Sequence, residues 1–381
     1  MPASTDVATT SRRIAAVAAE WLRGGRRVVA ALLVGVEGSA PLEPGAMMLV
    51  ADDGAIEGSI TGGCVEAALV EEARAVLAGG PPRTAIYGIS DELAGSVGLT
   101  CGGTVHVFVH ELSGDAAEVE ASARDAAAAG RPVAIATLLD GAGAGGKLAV
   151  VDGEAVGGFG GPELLDHSVA RDAAGMLAQG RSGIRHYGED GATLGTALAV
   201  HIHVYAPPPK MLIFGAIDFS AALAEIAAGI GYEVTIADPR VPFLGSPRFE
   251  RAATTLAVWP EDAFDRVELG PRDAVLVFTH DPKFDQPALL GALEADVGYV
   301  GALGSRKTTA DRLRRLREAG LGEEKLARLH APCGLDIGAA TPEEVAISVL
   351  AEVIAERSGR GGASLSEGSD AIHPREGRPA I

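Results

Sequence analysis

The stretch MLIFGAIDFSAALAEIAAGIGYEVTIADPR, residues 211–240, decides the fold of the second half of the chain. It has the pattern of a buried strand, a glycine turn at Gly215, an apolar helix and a second strand ending near Asp238. Strands and helices continue to alternate beyond it, which is typical of a parallel sheet covered by helices. We therefore predict a Rossmann-like doubly wound parallel-sheet domain over residues 210–359.

The first half of the chain repeats one pattern. RRVVAALLV at 26–34 is echoed by RPVAIATLL at 131–139. GGCVEAALVEEARAVLAGGPPRTAIYG at 62–88 is echoed by GGPELLDHSVARDAAGMLAQGRSGIRHYG at 160–188. Each copy predicts a strand, a hairpin, a helix and two further strands. We predict an N-terminal α/β domain over residues 11–206, built from an internal duplication.

The boundaries of these predicted segments follow from composition. The two copies extend over about 26–112 and 131–205, and the proline triplet at 207–209 is a stiff linker between the domains. The polar ends of the chain, 1–10 and 360–381, are predicted to be disordered.

Composition excludes several classes of protein. The 381 residues carry 32 basic and 51 acidic side chains, a net charge of −19, which argues against a general nucleic-acid binder. There is no long apolar run and no signal peptide, so we predict a soluble, cytoplasmic chain without a membrane partner. The three cysteines, Cys64, Cys101 and Cys333, form no CxxC pair, which excludes a disulfide scaffold and a zinc knuckle.

Residues found in only one copy of the duplication are candidates for function, because the fold forms without them in the other copy. The second copy has Pro162 where the first has Cys64, and it lacks the turn at 38–41 and any counterpart of Cys101. A thiol at a helix N-terminus has a lowered pKa, which favours a functional Cys64; the alternative is a buried cysteine that packs as a small apolar side chain. The candidates in this domain are Ser39, Gly62, Gly63, Cys64, Glu66, Cys101, Gly102 and Gly103.

The second domain presents a weak nicotinamide-nucleotide signal. Gly215 begins the expected glycine turn, but Ile217 replaces the second glycine and Asp218 adds a negative charge where a phosphate would bind. Asp238 has the spacing of a ribose-binding acid, and it also fits a cap at a strand end.

Loops that follow the later strands look better equipped for a ligand. The carboxyl ends of parallel strands are where open α/β sheets bind ligands. His280 is either a capping residue or a site residue, whereas Ser305 and Arg306 open a helix and suit an anion. The basic run at 306–328 is predicted to be a solvated helix face. The candidates in this domain are Gly215, Asp238, His280, Asp281, Gly304, Ser305, Arg306 and Asp336.

Five motifs together resemble the XdhC/CoxI family of accessory proteins: GSITGGCVE, CGG, FTHDPKFD, GYVGALGSRK and HAPCGLDIGAATPEEVAISVLAE. The resemblance extends over about residues 11–357. It implies a protein that serves the maturation of molybdenum hydroxylases such as xanthine dehydrogenase and carbon monoxide dehydrogenase. Such a protein binds the molybdenum cofactor, supports its sulfuration with a cysteine desulfurase and delivers it to the apo-enzyme. The resemblance therefore favours a non-catalytic chaperone.

The chain departs from the family pattern at a few positions. Ile217 and Asp218 stand where the family usually has glycine and histidine, Leu42 replaces a common arginine, and Cys333 replaces an aliphatic residue. A client enzyme different from the usual one would be consistent with these changes.

The resemblance leads to a hypothesis for the site. Cys64 is a candidate molybdenum ligand or persulfide carrier, because a thiolate is a soft ligand, and Glu66 and Cys101 are expected nearby. The Rossmann face would hold the phosphate end of the cofactor and face Cys64 across a cleft, within one chain or across a homodimer. The alternatives are an NAD(P)-binding oxidoreductase and a ligand-free docking protein for the client enzyme.

Overall fold

The computed structural model describes residues 4–37, 42–63, 65–88, 103–112, 114–250 and 252–367. The chain divides between Pro207 and Pro208 into two compact units, which we call the N-terminal and C-terminal units. Within the described residues, no helix is both long enough and apolar enough to cross a membrane.

The first copy of the duplication forms one antiparallel sheet with a helix against each face. Its strand order is β3-β2-β1-β5-β4, so the hairpin strands lie on one side of β1 and the last two strands on the other. The first helix begins at Ser4, which differs from the disorder predicted up to residue 10. The elements are α1 Ser4–Arg23, β1 Val28–Glu37, β2 Met47–Ala51, β3 Ile56–Gly58, α2 Glu66–Leu77, β4 Arg83–Gly88 and β5 Thr104–Leu112.

The second copy repeats this architecture element by element. Its strand order, β8-β7-β6-β10-β9, is that of the first sheet, again with antiparallel pairs throughout. The duplication predicted from the sequence is therefore confirmed. The elements are α3 Gly114–Ala128, β6 Val133–Leu138, β7 Lys147–Val151, β8 Glu154–Gly158, α4 Glu163–Gln179, β9 Gly183–Tyr187 and β10 Leu198–Tyr205.

The two copies contact each other in a reciprocal way. His110 pairs with Ala30 in the first sheet, and His203 occupies the equivalent register position opposite Ile135 in the second. A Cβ on Gly145 would lie 3.5 Å from the ring of His110, and one on Gly45 would lie 2.0 Å from the ring of His203. Each histidine thus packs against a glycine of the other copy, as expected for an interface with approximate twofold symmetry.

A charged cluster is buried in the N-terminal unit. Glu120 on α3 pairs with Arg124 one turn later and with Lys147 on β7, at 3.0 Å. Arg124 also donates to the Tyr205 hydroxyl at 2.6 Å. Burial alone would raise the pKa of Glu120, but the two cations outweigh it and hold that pKa well below its ordinary value. This cluster satisfies its own charges, so it anchors α3 to the second sheet.

The C-terminal unit is a parallel sheet of six strands in the order β13-β12-β11-β14-β15-β16. This is the order of dinucleotide-binding Rossmann folds, with the switch point between β11 and β14. The predicted fold class is thus confirmed for both units. The elements are β11 Lys210–Phe214, α5 Asp218–Gly229, β12 Glu233–Ala237, α6 Val241–Leu244, β13 Thr254–Leu256, α7 Pro260–Arg266, β14 Ala274–Val277, α8 Pro282–Glu294, β15 Tyr299–Ala302, α9 Arg306–Glu318, α10 Glu323–Leu326, β16 Leu329–His330 and α11 Pro342–Ser358.

Helices cover both faces of this sheet, as its first strand shows. Met211 and Ile213 pack into one apolar core with α5 and α11, whereas Leu212 and Phe214 pack into a second core with α8. Alternate residues of a strand point to opposite faces, so a run of consecutive apolar residues indicates a strand buried on both sides. The covered faces leave the ends of the strands as the places for a ligand.

Candidate functional site

The glycine loop before α2 is folded around one carboxylate. Glu66, the first residue of the helix, accepts the Ser59 hydroxyl at 2.6 Å and the Thr61 hydroxyl at 3.0 Å. It also accepts backbone N–H groups at 2.8–3.1 Å, those of Ile60, Thr61, Gly62, Gly63 and Val65. Glu66 is therefore the internal anchor of this loop.

The contacts of Glu66 keep it ionised. Partial burial would raise its pKa, but the hydrogen bonds from Ser59 and from the loop amides outweigh burial and lower the pKa to about 2. Because Glu66 already occupies the amides of Gly62 and Gly63, those groups are engaged within the chain and not free for an outside anion. The sequence predicted that Glu66 contacts the cofactor; the structure shows what else this carboxylate does.

The second copy has a different arrangement. There the loop before α4 contains Pro162, and Asp166 accepts the Phe159 amide at 3.0 Å. A loop tied by many bonds to one carboxylate is thus a property of the copy that carries the cysteine.

The other candidates of the N-terminal unit divide into two groups. Gly62 and Gly63 are exposed, and Gly103 is buried directly before β5. Ser39, Cys64, Cys101 and Gly102 lie outside the described residues.

Five loops of the C-terminal unit follow the carboxyl ends of its strands, and we call this region the carboxyl edge: residues 215–218, 238–241, 278–282, 303–306 and 331–338. Gly215 has φ +111°, and a Cβ there would lie 3.2 Å from the backbone of Phe278 and from the Thr279 side chain. Only glycine combines this backbone with such a close approach. Gly215 therefore joins the loops after β11 and β14 by packing.

Asp238 is buried and fully engaged. It accepts the Ala216 amide at 2.9 Å, the Arg240 amide at 2.9 Å, and the Arg240 guanidinium at 2.9 and 2.7 Å. Burial would raise the pKa of Asp238, but the hydrogen bonds from Arg240 and Ala216 hold it below its ordinary value. The carboxylate acts as a strand-end tie, which was one of the two roles the sequence allowed.

Asp218 stands at the N-terminus of α5 and forms an ion pair with Arg248. The same guanidinium donates to the carbonyl of Ala216 at 3.1 Å. The helix end that commonly binds a phosphate thus faces an acid and its counter-ion from the same chain.

The loop after β14 places its two candidates differently. His280 is exposed. Asp281 is the N-cap of α8 and accepts the Lys283 amide at 3.1 Å. The Thr279 hydroxyl is buried and has no hydrogen-bond partner among the described residues. A ligand that approached this loop could supply that partner.

The loop after β15 starts α9. Ser305 is its N-cap and accepts the Thr308 amide at 3.1 Å. Arg306 and Lys307 follow it and are exposed, and neither has an ion pair within the part of the chain that the structure describes. A capped helix N-terminus beside two such cations can attract an anion.

Sequence reasoning missed Arg312, which lies in the basic run predicted to be solvated. Its guanidinium is fully buried, is bound by Asp285 at 2.9 and 3.0 Å, and donates to the carbonyls of Leu303 at 2.5 Å and Thr279 at 2.9 Å. One side chain therefore holds together the loops that carry His280 and Ser305. Its spacing from Thr309 and Leu316, both buried on α9, is the signal that could have revealed it.

The last loop of the edge holds Asp336, which is exposed, and Cys333, which is buried. Burial raises the pKa of the Cys333 thiol to about 12, so this cysteine packs as an apolar group. Glu352 on α11 was also missed: it accepts the Gly334 amide at 2.7 Å and pairs with His330 at 3.5 Å. It fixes the start of the loop that presents Asp336.

The arrangement offers an anion-attracting edge and a structured glycine loop. Among the described residues, no group of three or more His, Cys, Asp or Glu side chains has the geometry of a metal site. For this part of the chain, any metal chemistry would therefore arrive with a ligand.

Two family profiles match the chain. Residues 211–353 match the XdhC Rossmann domain, and residues 21–88 match the XdhC and CoxI family.

Three characterised or catalogued proteins are similar to the chain. A 256-residue region, 64% of the chain, is 32% identical to YqeB of Escherichia coli K12 and covers 46% of it, so the chain spans about half the length of that relative. A probable xanthine dehydrogenase component from Bacillus subtilis 168 is 27% identical over 88% of the chain and 95% of its own length. The molybdenum cofactor insertion chaperone PaoD of E. coli K12 is 28% identical over 91% of the chain and 88% of its own length.

A solved structure has the same fold along nearly the whole chain. It is described as a xanthine dehydrogenase from Bacillus halodurans, and it has a TM-score of 0.58 at 27% identity. The match covers 93% of this chain and 98% of that one.

Proposed function

The chain belongs to the XdhC and CoxI family, and on that premise we propose that it is an accessory protein that binds the molybdenum cofactor and delivers it to a molybdenum hydroxylase. The observation that carries the proposal is the similarity to a molybdenum cofactor insertion chaperone along nearly the whole chain. In this role the cofactor is a cargo, and the protein binds and releases it.

The residues present fit such a cargo at its anionic end. The cofactor is a pyranopterin with a phosphate-bearing tail. Arg306 and Lys307 are exposed cations beside the N-terminus of α9, and the buried Thr279 hydroxyl on the neighbouring loop needs a partner. A phosphate provides acceptor oxygens for all of these donors. Gly304, Ser305, His280, Asp281 and Asp336 would line the same edge.

At its metal end the cargo needs a soft ligand. Cys64 directly follows Gly63 in the loop that Glu66 organises, and a thiolate is such a ligand. We assign Cys64 the role of molybdenum ligand or persulfide carrier, with Ser39, Cys101, Gly102 and Gly103 as neighbouring candidates. When bound, the cofactor supplies the oxo-transfer chemistry of the client enzyme, and this chain supplies only binding and protection.

The proposal includes partners. A cysteine desulfurase would supply sulfur, and the client is a hydroxylase of the xanthine dehydrogenase or carbon monoxide dehydrogenase type. We also propose that the protein works in the cytoplasm as a homodimer, in which the carboxyl edge of one domain and Cys64 serve the same ligand, within a chain or across the dimer.

Transfer to a client enzyme tests this function. The full chain is loaded with molybdenum cofactor, freed of excess ligand and mixed with a cofactor-free molybdenum hydroxylase. The proposal predicts that the hydroxylase gains activity, faster than with free cofactor at the same concentration. If the loaded chain activates the client no better than free cofactor does, the delivery role is wrong.

The competing function is an NAD(P)-dependent oxidoreductase, which the strand order of the C-terminal unit would favour. Asp238 is bound on both oxygens within the chain, however, and it is the residue that such an enzyme needs for ribose. The chaperone is therefore the function that the geometry supports best.

A further inference from the structure

The first strand–helix turn of a Rossmann sheet is where a nucleotide diphosphate normally binds. Two features make that possible: free N–H groups at the helix N-terminus for the pyrophosphate, and a free carboxylate at the end of the second strand for the ribose. In this protein the turn is Gly215–Asp218 and the carboxylate is Asp238.

The ribose position is closed. A carboxylate has about four acceptor positions, two on each oxygen. In Asp238 all four are filled: Oδ1 accepts the Arg240 amide and Nε, and Oδ2 accepts the Ala216 amide and Arg240 Nη2. A ribose hydroxyl could bind only by displacing Arg240 from a carboxylate that is 2% exposed.

The pyrophosphate position is closed as well. The Gly215 amide donates to Ala237 at 3.0 Å, the Ala216 amide donates to Asp238, and the Ile217 amide donates to Gly215 at 3.2 Å. All three N–H groups of the turn are thus used within the chain. The Asp218 carboxylate stands at the helix end beyond them and repels a phosphate.

The cations of the carboxyl edge differ in whether an acid of the chain already neutralises them. Arg248 and Arg240 sit beside the first turn, but each is paired with an acid of that region. Arg306 and Lys307, at the other part of the edge, are exposed and have no ion pair among the described residues. The edge therefore offers one anion-attracting position and not the two that a dinucleotide would use.

We propose that the pairs Asp238–Arg240 and Asp218–Arg248 are specificity determinants that exclude a nucleotide tail. This rests on the proposed function, and it names the cargo more closely: the cofactor form that ends in a single phosphate, not the dinucleotide form. Its phosphate binds near Ser305 and Arg306, and the first turn of the sheet stays closed.

Two binding experiments on the full chain test this specificity. In the first, the chain is offered the two cofactor forms in competition, and retained pterin is identified by mass spectrometry after gel filtration. We expect the single-phosphate form to be retained at least tenfold in excess. Equal retention, or preference for the dinucleotide form, would overturn the proposal.

The second experiment uses nucleotides alone, CDP and NADH, and does not depend on cofactor binding. We expect calorimetry to detect no binding to the wild type at the highest usable nucleotide concentration. The double variant Asp218→Asn with Arg240→Ala frees Arg248 for a phosphate and frees Asp238 for a ribose, so it should bind at least tenfold more tightly. The control is Arg317→Ala, which breaks an exposed ion pair with Glu323 far along α9 and should change nothing.

The outcomes separate the two claims. If neither cofactor form is retained, the chaperone function fails, while the nucleotide titration still decides whether the turn is closed. Micromolar binding of NADH or CDP by the wild type contradicts the closed turn. A double variant that binds nucleotides no better than the wild type contradicts the role of the two pairs.

Discussion

Ser59 and Glu66 face each other across the glycine loop, with 2.6 Å between the hydroxyl oxygen and the carboxylate. The bond is one of seven that the described residues make to this side chain, and it sets the path of the chain on both sides of Cys64. The loop that carries the candidate thiol is thus shaped by a charge from the helix it precedes.

Glu66→Gln should weaken cofactor retention by at least tenfold. The amide places an N–H group where the loop amides need an acceptor, so some of these donors lose their partner, at about 1–3 kcal/mol for each buried donor. Retention after gel filtration measures the effect, and the free energy of urea unfolding reports the loss of stability.

The duplication provides a matched control for this variant. Asp166→Asn removes the equivalent charge in the copy without a cysteine, and it should leave cofactor retention unchanged. A combined Cys64→Ala and Glu66→Gln variant should be no worse than Cys64→Ala alone, since both act through one loop. Additive losses would show that Glu66 touches the cofactor independently.

The buried histidines of the N-terminal unit predict acid sensitivity. Burial, together with nearby positive groups that include Lys147, lowers the pKa of His201 to about 3; burial and Arg124 lower that of His203 to about 4. In the unfolded chain both titrate near 6.5, so the unfolded state binds more protons between these values. Stability should therefore be complete above about pH 6.5 and fall as the pH drops towards about 4, by about 1.4 kcal/mol per pH unit for each histidine.

A single variant isolates this effect from the carboxylates that titrate in the same range. The first copy has Phe108 at the position equivalent to His201, so His201→Phe fits the same register. Urea unfolding between about pH 4 and 7 should show a shallower pH dependence for the variant. An unchanged slope would mean that His201 does not take part.

Arg312→Met should destabilise the C-terminal unit by about 3–5 kcal/mol, because it leaves Asp285 with only Arg315 and frees two loop carbonyls. The control is Arg314→Met on the same helix, an exposed residue whose loss should cost less than about 1 kcal/mol. Urea unfolding compares the two. Similar losses for both variants would contradict the role of Arg312 as the tie between the loops.

Much of the fold follows from sequence patterns. The apolar run at 211–214 and the repeated motifs predicted the two architectures, because period and repetition record which faces are buried. The capping box at Thr341 and Glu344 was also readable, since it is local in sequence, and both of its hydrogen bonds are present.

What the sequence did not reveal is long-range pairing of charges. Arg312 looks like any residue of a basic helix until Asp285, on another helix, is seen to lie against it. Asp238 fits a ribose-binding acid by spacing, and only the position of Arg240 shows that its oxygens are already occupied. The specificity of the carboxyl edge depends on such pairs.

Molybdenum retention tests the central claim most directly. The purified full chain is incubated with molybdenum cofactor, passed through gel filtration and analysed for bound molybdenum by mass spectrometry, beside the Cys64→Ala variant and an unrelated protein. The account predicts a stoichiometric amount of molybdenum on the wild type and a large loss on the variant. A wild-type chain that holds no more molybdenum than the unrelated protein would contradict it.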